Sequence, residues 1–310
     1  MKKLVLYLSI ILPLSFILSA CTNEQTPKKN GQLLIYTTVY PLQYFSEQIG
    51  GKYVEVHTIY PPGADEHTFE PSQKDMLKLA DADLFFYIGL GLEGFVDKAK
   101  ETLKNEHVSL IPTAENLQLP EGDHEHEEES DHDHNSDKNP HVWLDPVYAK
   151  ELAAVIRDQL GKEQPNHKDY FEENYQKIAA ELDDLNKQFE TITAQAKHKQ
   201  FIVTHAAFGY WTERYGIKQI SISGLSTTNE PSQKALEKII SLADNEGLKY
   251  ILFEQNVQSK LGEVVQREIA ARALPVHNLA VLTENNVNDK ETYFSLMNKN
   301  LDTLKTALNE

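Results

Sequence analysis

Apolar residues in this chain fall into short runs spaced by helical patterns. Residues 33–38, 54–60, 84–88 and 108–111 form one set, and 201–205, 218–223, 250–253 and 275–281 form a second. Runs this short, bounded by turns and lying between helices, predict parallel strands buried on both faces. Each half reads strand, helix, strand, long loop, helix, strand. The halves also share a pentapeptide, Glu70-Pro71-Ser72-Gln73-Lys74, which returns unchanged as Glu230-Pro231-Ser232-Gln233-Lys234. Each copy opens a helical pattern, with serine available as its N-cap. The expectation is an α/β fold: two similar lobes, each a parallel sheet flanked by helices.

Between the sets the period changes. Phe171, Tyr175, Ile178, Leu182, Leu185, Phe189 and Ile192 recur at spacings of three and four, giving one unbroken apolar stripe. No Gly or Pro interrupts residues 166–201, so residues 165–199 read as one long linking helix. Its stripe fits either a coiled-coil dimer or a strut laid across both lobes of a monomer. The lobes then comprise residues 32–164 and 200–310.

The first twenty residues are set apart by composition. Lys2 and Lys3 precede an apolar stretch too short to span a bilayer comfortably, and small residues lead into Cys21. This reads as a signal peptide, 1–20, ending in a bacterial lipobox. Lipid on Cys21 would anchor a polar tether, 21–31, at the outer face of the cytoplasmic membrane. Cys21 is also the only cysteine in 310 residues. Disulfides and thiolate metal sites are thereby excluded from the mature chain. A net charge of −17 disfavours nucleic acid and favours cations.

The chemistry lies with histidine. Residues 121–138 (EGDHEHEEESDHDHNSDK) place His124, His126, His132 and His134 among nine carboxylates, with no apolar residue to bury. Imidazole selects zinc, copper, nickel or iron over magnesium and calcium, so the tract reads as a weak auxiliary collector of such an ion. Three further histidines fall where open parallel sheets bind ligands, beyond the carboxyl ends of strands. His67 follows the second strand, His141 sits in Pro140–Pro146 after the tract, and His205 ends the fifth strand. A tetrahedral site needs a fourth ligand. Glu284, after the last strand, Glu66, beside His67, and water are the alternatives. His57 and His277 read as structural.

The motifs DEHTFEPS, PHVWLDP and THAAFGY, with the His/acid tract between the first two, closely resemble zinc-specific solute-binding lipoproteins of ABC transporters. The resemblance runs from the lipobox to the C-terminal helix. It implies two α/β lobes joined by a long helix, with one Zn²⁺ held between them by His67, His141 and His205. It puts the family's variable fourth ligand on Glu284, across a small gap. It also implies a membrane permease with a cytoplasmic ATPase as partner, and no enzymatic activity. Manganese-binding relatives commonly carry glutamate as third ligand, so His205 and the tract favour zinc.

Three other classes find less support. A zinc hydrolase is disfavoured, since neither HExxH nor GxSxG occurs. Gly89-Leu90-Gly91-Leu92-Glu93-Gly94 spells GxGxxG after a strand, but the acidic residue expected about 20 positions later is poorly met. Surface adhesion is compatible with a lipid anchor, though no residue argues for it.

Overall fold

The computed structural model describes residues 31–120 and 138–310; the leader, Cys21 and the four tract histidines lie outside them. Each half of the chain builds a four-stranded, wholly parallel sheet. The first holds β1 (Leu33–Thr37), β2 (Val54–Thr58), β3 (Leu84–Tyr87) and β4 (Ser109–Pro112), in the order β2-β1-β3-β4. The second holds β5 (Gln200–Val203), β6 (Lys218–Ser221), β7 (Tyr250–Glu254) and β8 (Arg272–Val276), in the order β6-β5-β7-β8. The same strand order in both sheets is the duplication made visible. It sets the reversal of connection between β1 and β3 in one lobe and between β5 and β7 in the other. In open parallel sheets that reversal opens a crevice for ligands.

Local chemistry fixes the helix starts. The two copies of the pentapeptide open α2 (Gln73–Asp81) and α7 (Gln233–Glu246), and Ser72 and Ser232 accept from the amides of Asp75 and Ala235 as N-caps. Between the strands of the first lobe run α1 (Tyr40–Gly50), α2 and α3 (Val96–Leu103). Helix α4 (Pro146–Glu163) is not among the expected elements. Asp145 caps it by accepting from Val147 and Tyr148, with Pro146 at its first position. The linking helix α5 runs over Lys168–Ala194, 27 residues, after a 3₁₀ turn at Pro165–His167. At 1.5 Å per residue it spans about 40 Å.

The stripe on α5 is consumed within the chain. Phe171, Ile178, Leu182, Leu185 and Phe189 are buried, and the helix packs on α4, on α1 and on the C-terminal helix α10 (Tyr293–Asn309). One apolar core continues through both lobes. It takes Ile35, Leu84 and Phe86 from the first sheet, Phe201, Val203 and Leu252 from the second, and Leu182 and Phe189 from the strut. Alternation along the second sheet sends Ile202, Ile220 and Ile251 to the opposite face. There α7 and α8 (Lys260–Glu268) cover a smaller cluster. Helix α6 (Gly209–Tyr215) completes the second lobe on the shared-core side.

The last strand departs from expectation. It covers Arg272–Val276 rather than 275–281. The apolar run continues because Leu279, Ala280 and Val281 are buried off the sheet, in a segment where Leu279 takes φ 58°. The carbonyls of Ala280 and Leu282 accept from the amides of Tyr40 and Gly63. The run is apolar because it bridges to the first lobe.

Candidate metal centre

Three loops deliver three imidazoles to the cleft. In the loop after β2, Gly63 adopts φ 75°, and Asp65 Oδ1 accepts from the His67 amide at 2.9 Å. This short side-chain turn fixes the approach of His67. His141 lies in a segment held by three long-range hydrogen bonds. Trp143 Nε1 donates to the Asn278 carbonyl at 2.7 Å, while Trp211 Nε1 donates to the Leu144 carbonyl and Tyr293 Oη to the Trp143 carbonyl, each at 2.8 Å. His205 follows β5 at the reversal point of the second sheet, beside Glu254 at the end of β7.

The ring nitrogens face one another. His141 Nε2 stands 3.3 Å from His67 Nε2 and 3.2 Å from His205 Nε2. His141 Nδ1 lies 2.8 Å from Asn139 Oδ1, and His205 Nδ1 lies 2.6 Å from Glu254 Oε1. Asn139 Oδ1 also accepts from the His141 amide, at 3.0 Å, which fixes that oxygen as the acceptor. Both Nδ1 atoms therefore carry hydrogen, leaving Nε2 as the lone-pair end of each ring. Two lone pairs at 3.2 Å repel unless a cation, proton or metal, lies between them. A tetrahedral ion with Zn–N bonds of about 2.0–2.1 Å sets neighbouring donors about 3.3 Å apart. The spacing fits.

Glu66 completes the set. Glu66, His67, His141 and His205 each offer a donor atom within 4.8 Å of all the others, the only such group among the described residues. Glu66 is 2% exposed, and its Oε2 is buried with no hydrogen-bond partner. A buried, unmatched carboxylate oxygen costs free energy unless something positive meets it. Glu284, on which the resemblance puts the fourth ligand, lies outside this group. Thr283 caps the short helix α9 (Glu284–Asn288) in a reciprocal capping box that turns Asn286 inward and leaves Glu284 exposed.

Burial sets the charge states. It pushes the Glu66 carboxyl up to about 8 and the His67 imidazole down to about 4, and drives His141 well below the ordinary histidine range. At His205 burial is again the largest single influence and opposes charge, but the carboxylates of Glu254, Glu66 and Asp65 together outweigh it and raise the ring. Burial thus favours the neutral forms of Glu66, His67 and His141, while His205 alone is biased toward its charged form.

Glu254, Asn139 and Asn278 escape sequence reasoning. Glu254 ends a strand beside His205, and the strand-end rule that selects the histidines could flag it as well. Nothing local marks the two asparagines. Of the two histidines read as structural, His277 is buried against Asn286 at 3.0 Å, whereas His57 is exposed beside Glu55 at 3.1 Å. The glycine-rich turn is also accounted for. Gly89, Leu90 and Gly91 all adopt positive φ, and the amides of Ile88 and Gly89 donate to Glu93 at 2.8 and 3.0 Å. Glu93 thus engages two backbone amides of this turn.

Comparison with known proteins identifies the family. The family model described as zinc-uptake complex component A, periplasmic, matches residues 35–307. The high-affinity zinc uptake system protein ZnuA of Bacillus subtilis is 36% identical over 97% of each chain. Zinc-binding lipoprotein AdcA of Streptococcus pneumoniae is 37% identical over the whole of this chain, which spans 62% of AdcA. The crystal structure of its Zn(II)-bound ZnuA-like domain superposes with a TM-score of 0.76 at 34% identity, covering 90% of this chain and all of that one. The laminin-binding protein Lmb of Streptococcus agalactiae, described as having adhesin and metal-transporting activity, gives 0.78 at 28% identity over 90% of this chain and all of Lmb. With a family model spanning both lobes and a relative matched end to end, the chain belongs to the ZnuA family of zinc-uptake components.

Proposed function

We propose that this protein captures Zn²⁺ outside the cytoplasmic membrane, anchored through Cys21, and hands it to the permease of an ABC transporter. His67, His141, His205 and Glu66 would hold the ion. The observation that carries this reading is the convergence of three Nε2 atoms on one point, with the far nitrogens of two rings already tied to Asn139 and Glu254. Four protein ligands leave no position for a reactive water, which suits carriage rather than hydrolysis. Metal analysis of the purified tagless protein, with zinc-versus-manganese competition, tests the reading. Preferential loading with manganese would overturn it.

Proton displacement gives a second test. Zinc needs deprotonated ligands; burial holds the Glu66 carboxyl up at about 8, and nearby carboxylates raise His205. Affinity should therefore fall as pH drops below about 8. This is a higher window than the unperturbed histidine value near 6.5 suggests. His67 and His141, already neutral, cost no proton. Calorimetry at about pH 7 in buffers of differing ionisation enthalpy should show about one to two protons released per zinc bound; no release would contradict these charge states.

The tract has a separate role in this proposal, raising local zinc concentration through weak, multiple sites. Deleting residues 121–138 should remove the extra stoichiometry and leave one tight site. Loss of the tight site in equilibrium dialysis would refute that division.

A further inference from the structure

The buried polar groups around the centre converge on one amide. Asn278 follows β8, and its place is fixed twice over: its carbonyl accepts from Trp143 Nε1 at 2.7 Å, and its Oδ1 accepts from the Ala280 amide at 3.0 Å. The second bond settles which end of the carboxamide faces the cleft. Its NH₂ group then donates in two directions, to Glu66 Oε1 and to Glu254 Oε2, each at 2.9 Å. Glu254 in turn accepts through Oε1 from Thr204 Oγ1 at 2.9 Å and holds His205 Nδ1 at 2.6 Å. One neutral side chain thus joins the carboxylate that would ligate the ion to the carboxylate that orients a ligating ring.

We infer that Asn278 is a positioning residue that sets metal selectivity by restricting Glu66 to one-oxygen ligation. The inference rests on the proposal that Glu66 is the fourth ligand. With Oε1 engaged by Asn278 and Oε2 the oxygen left without a partner, a second metal–oxygen bond would have to compete with a buried hydrogen bond. Three imidazoles and one carboxylate oxygen make a four-coordinate site, which zinc prefers. Manganese favours octahedral, oxygen-rich ligation, which a carboxylate free to offer both oxygens would help to supply. Asn278 already accepts hydrogen bonds through both its oxygens, from Trp143 Nε1 and the Ala280 amide. It acts through Glu66 and Glu254, as hydrogen-bond partners of metal ligands commonly do.

The test compares the full-length wild type with Asn278→Ala, Asn278→Asp and Glu66→Ala. Zinc and manganese affinities are measured by competition, and Co²⁺-loaded protein is followed by its visible spectrum, intense for four-coordinate cobalt and weak for higher coordination. Asn278→Asp keeps the side-chain shape and the acceptor for Ala280 while deleting both donors. Both Asn278 variants should lose roughly 10- to 100-fold in zinc affinity, lose less for manganese, and show a weakened cobalt band. Zinc and manganese affinities falling in step with an unchanged band would reduce Asn278 to a structural residue and overturn the inference. So would unchanged affinities. If Glu66→Ala leaves zinc affinity and the cobalt band as in wild type, the assignment of Glu66 fails instead. Should the variants not fold, a zinc-loaded wild-type crystal still decides: both Glu66 oxygens on the ion, or the amide turned from Glu66, would overturn the inference.

Discussion

Replacing His205 with alanine is expected to weaken zinc binding by about 100-fold or more, roughly 2.8 kcal/mol. Losing an outer-shell partner of a metal ligand already costs roughly 10- to 100-fold, and His205 is argued to be a ligand itself. No neighbour can take its place. His67 and His141 each present one nitrogen to the same point, and Glu254 is held by Thr204 and Asn278. The substitution also leaves Glu254 buried with one partner fewer, so the damage spreads to the group that orients the site. Calorimetry on the purified variant checks this, and an affinity within about threefold of wild type would remove His205 from the centre.

Trp143→Ala is expected to carry the largest stability effect. Trp143 is fully buried beside the His141 ring, with centroids 5.3 Å apart. Its indole N–H holds the Asn278 carbonyl, and its own carbonyl receives Tyr293 Oη. Truncating a buried tryptophan typically costs about 3–5 kcal/mol. At roughly 2–4 °C per kcal/mol for a large domain, the melting temperature should fall on the order of 10 °C. Zinc affinity should fall with it, since the cavity opens between His141 and Asn278. A melting point within about 2 °C of wild type would show the pocket collapsing without loss, contrary to this packing.

Much of this architecture is legible in the amino-acid sequence alone. Both sheets and the strut announce themselves through period, because a strand buried on both faces must be apolar throughout and a one-sided helix must not. His67, His141 and His205 can be selected because strand ends in parallel sheets collect ligands. The misreadings share one cause, which is that tertiary packing overrides local pattern. Leu279 to Val281 mimic a strand because loops that pack into a shared core become as apolar as strands. Glu284 resembles a ligand through its place in the chain, while the capping of α9 by Thr283 and Asn286 that turns it outward depends on local geometry. Asn278 is invisible in the sequence because its importance lies in hydrogen bonds to Glu66, Trp143 and Glu254, all distant along the chain. Helix α4 does have a readable start in Asp145-Pro146, a cap followed by proline at the first position. Its buried positions Ala149, Leu152, Ala153, Ile156 and Leu160 also recur at helical spacing, so this helix is open to reading from the sequence.

The continuity of the apolar interior across both halves has a further consequence. Each half repeats the other in strand order, yet neither carries a complete interior of its own: α10 covers the inner face of the second sheet and packs in turn on α5 and on α1 of the first lobe. Duplication here did not yield two independent folding units. Divided at the midpoint of the chain, the halves would be left with raw apolar faces. The paired architecture therefore persists only as a whole.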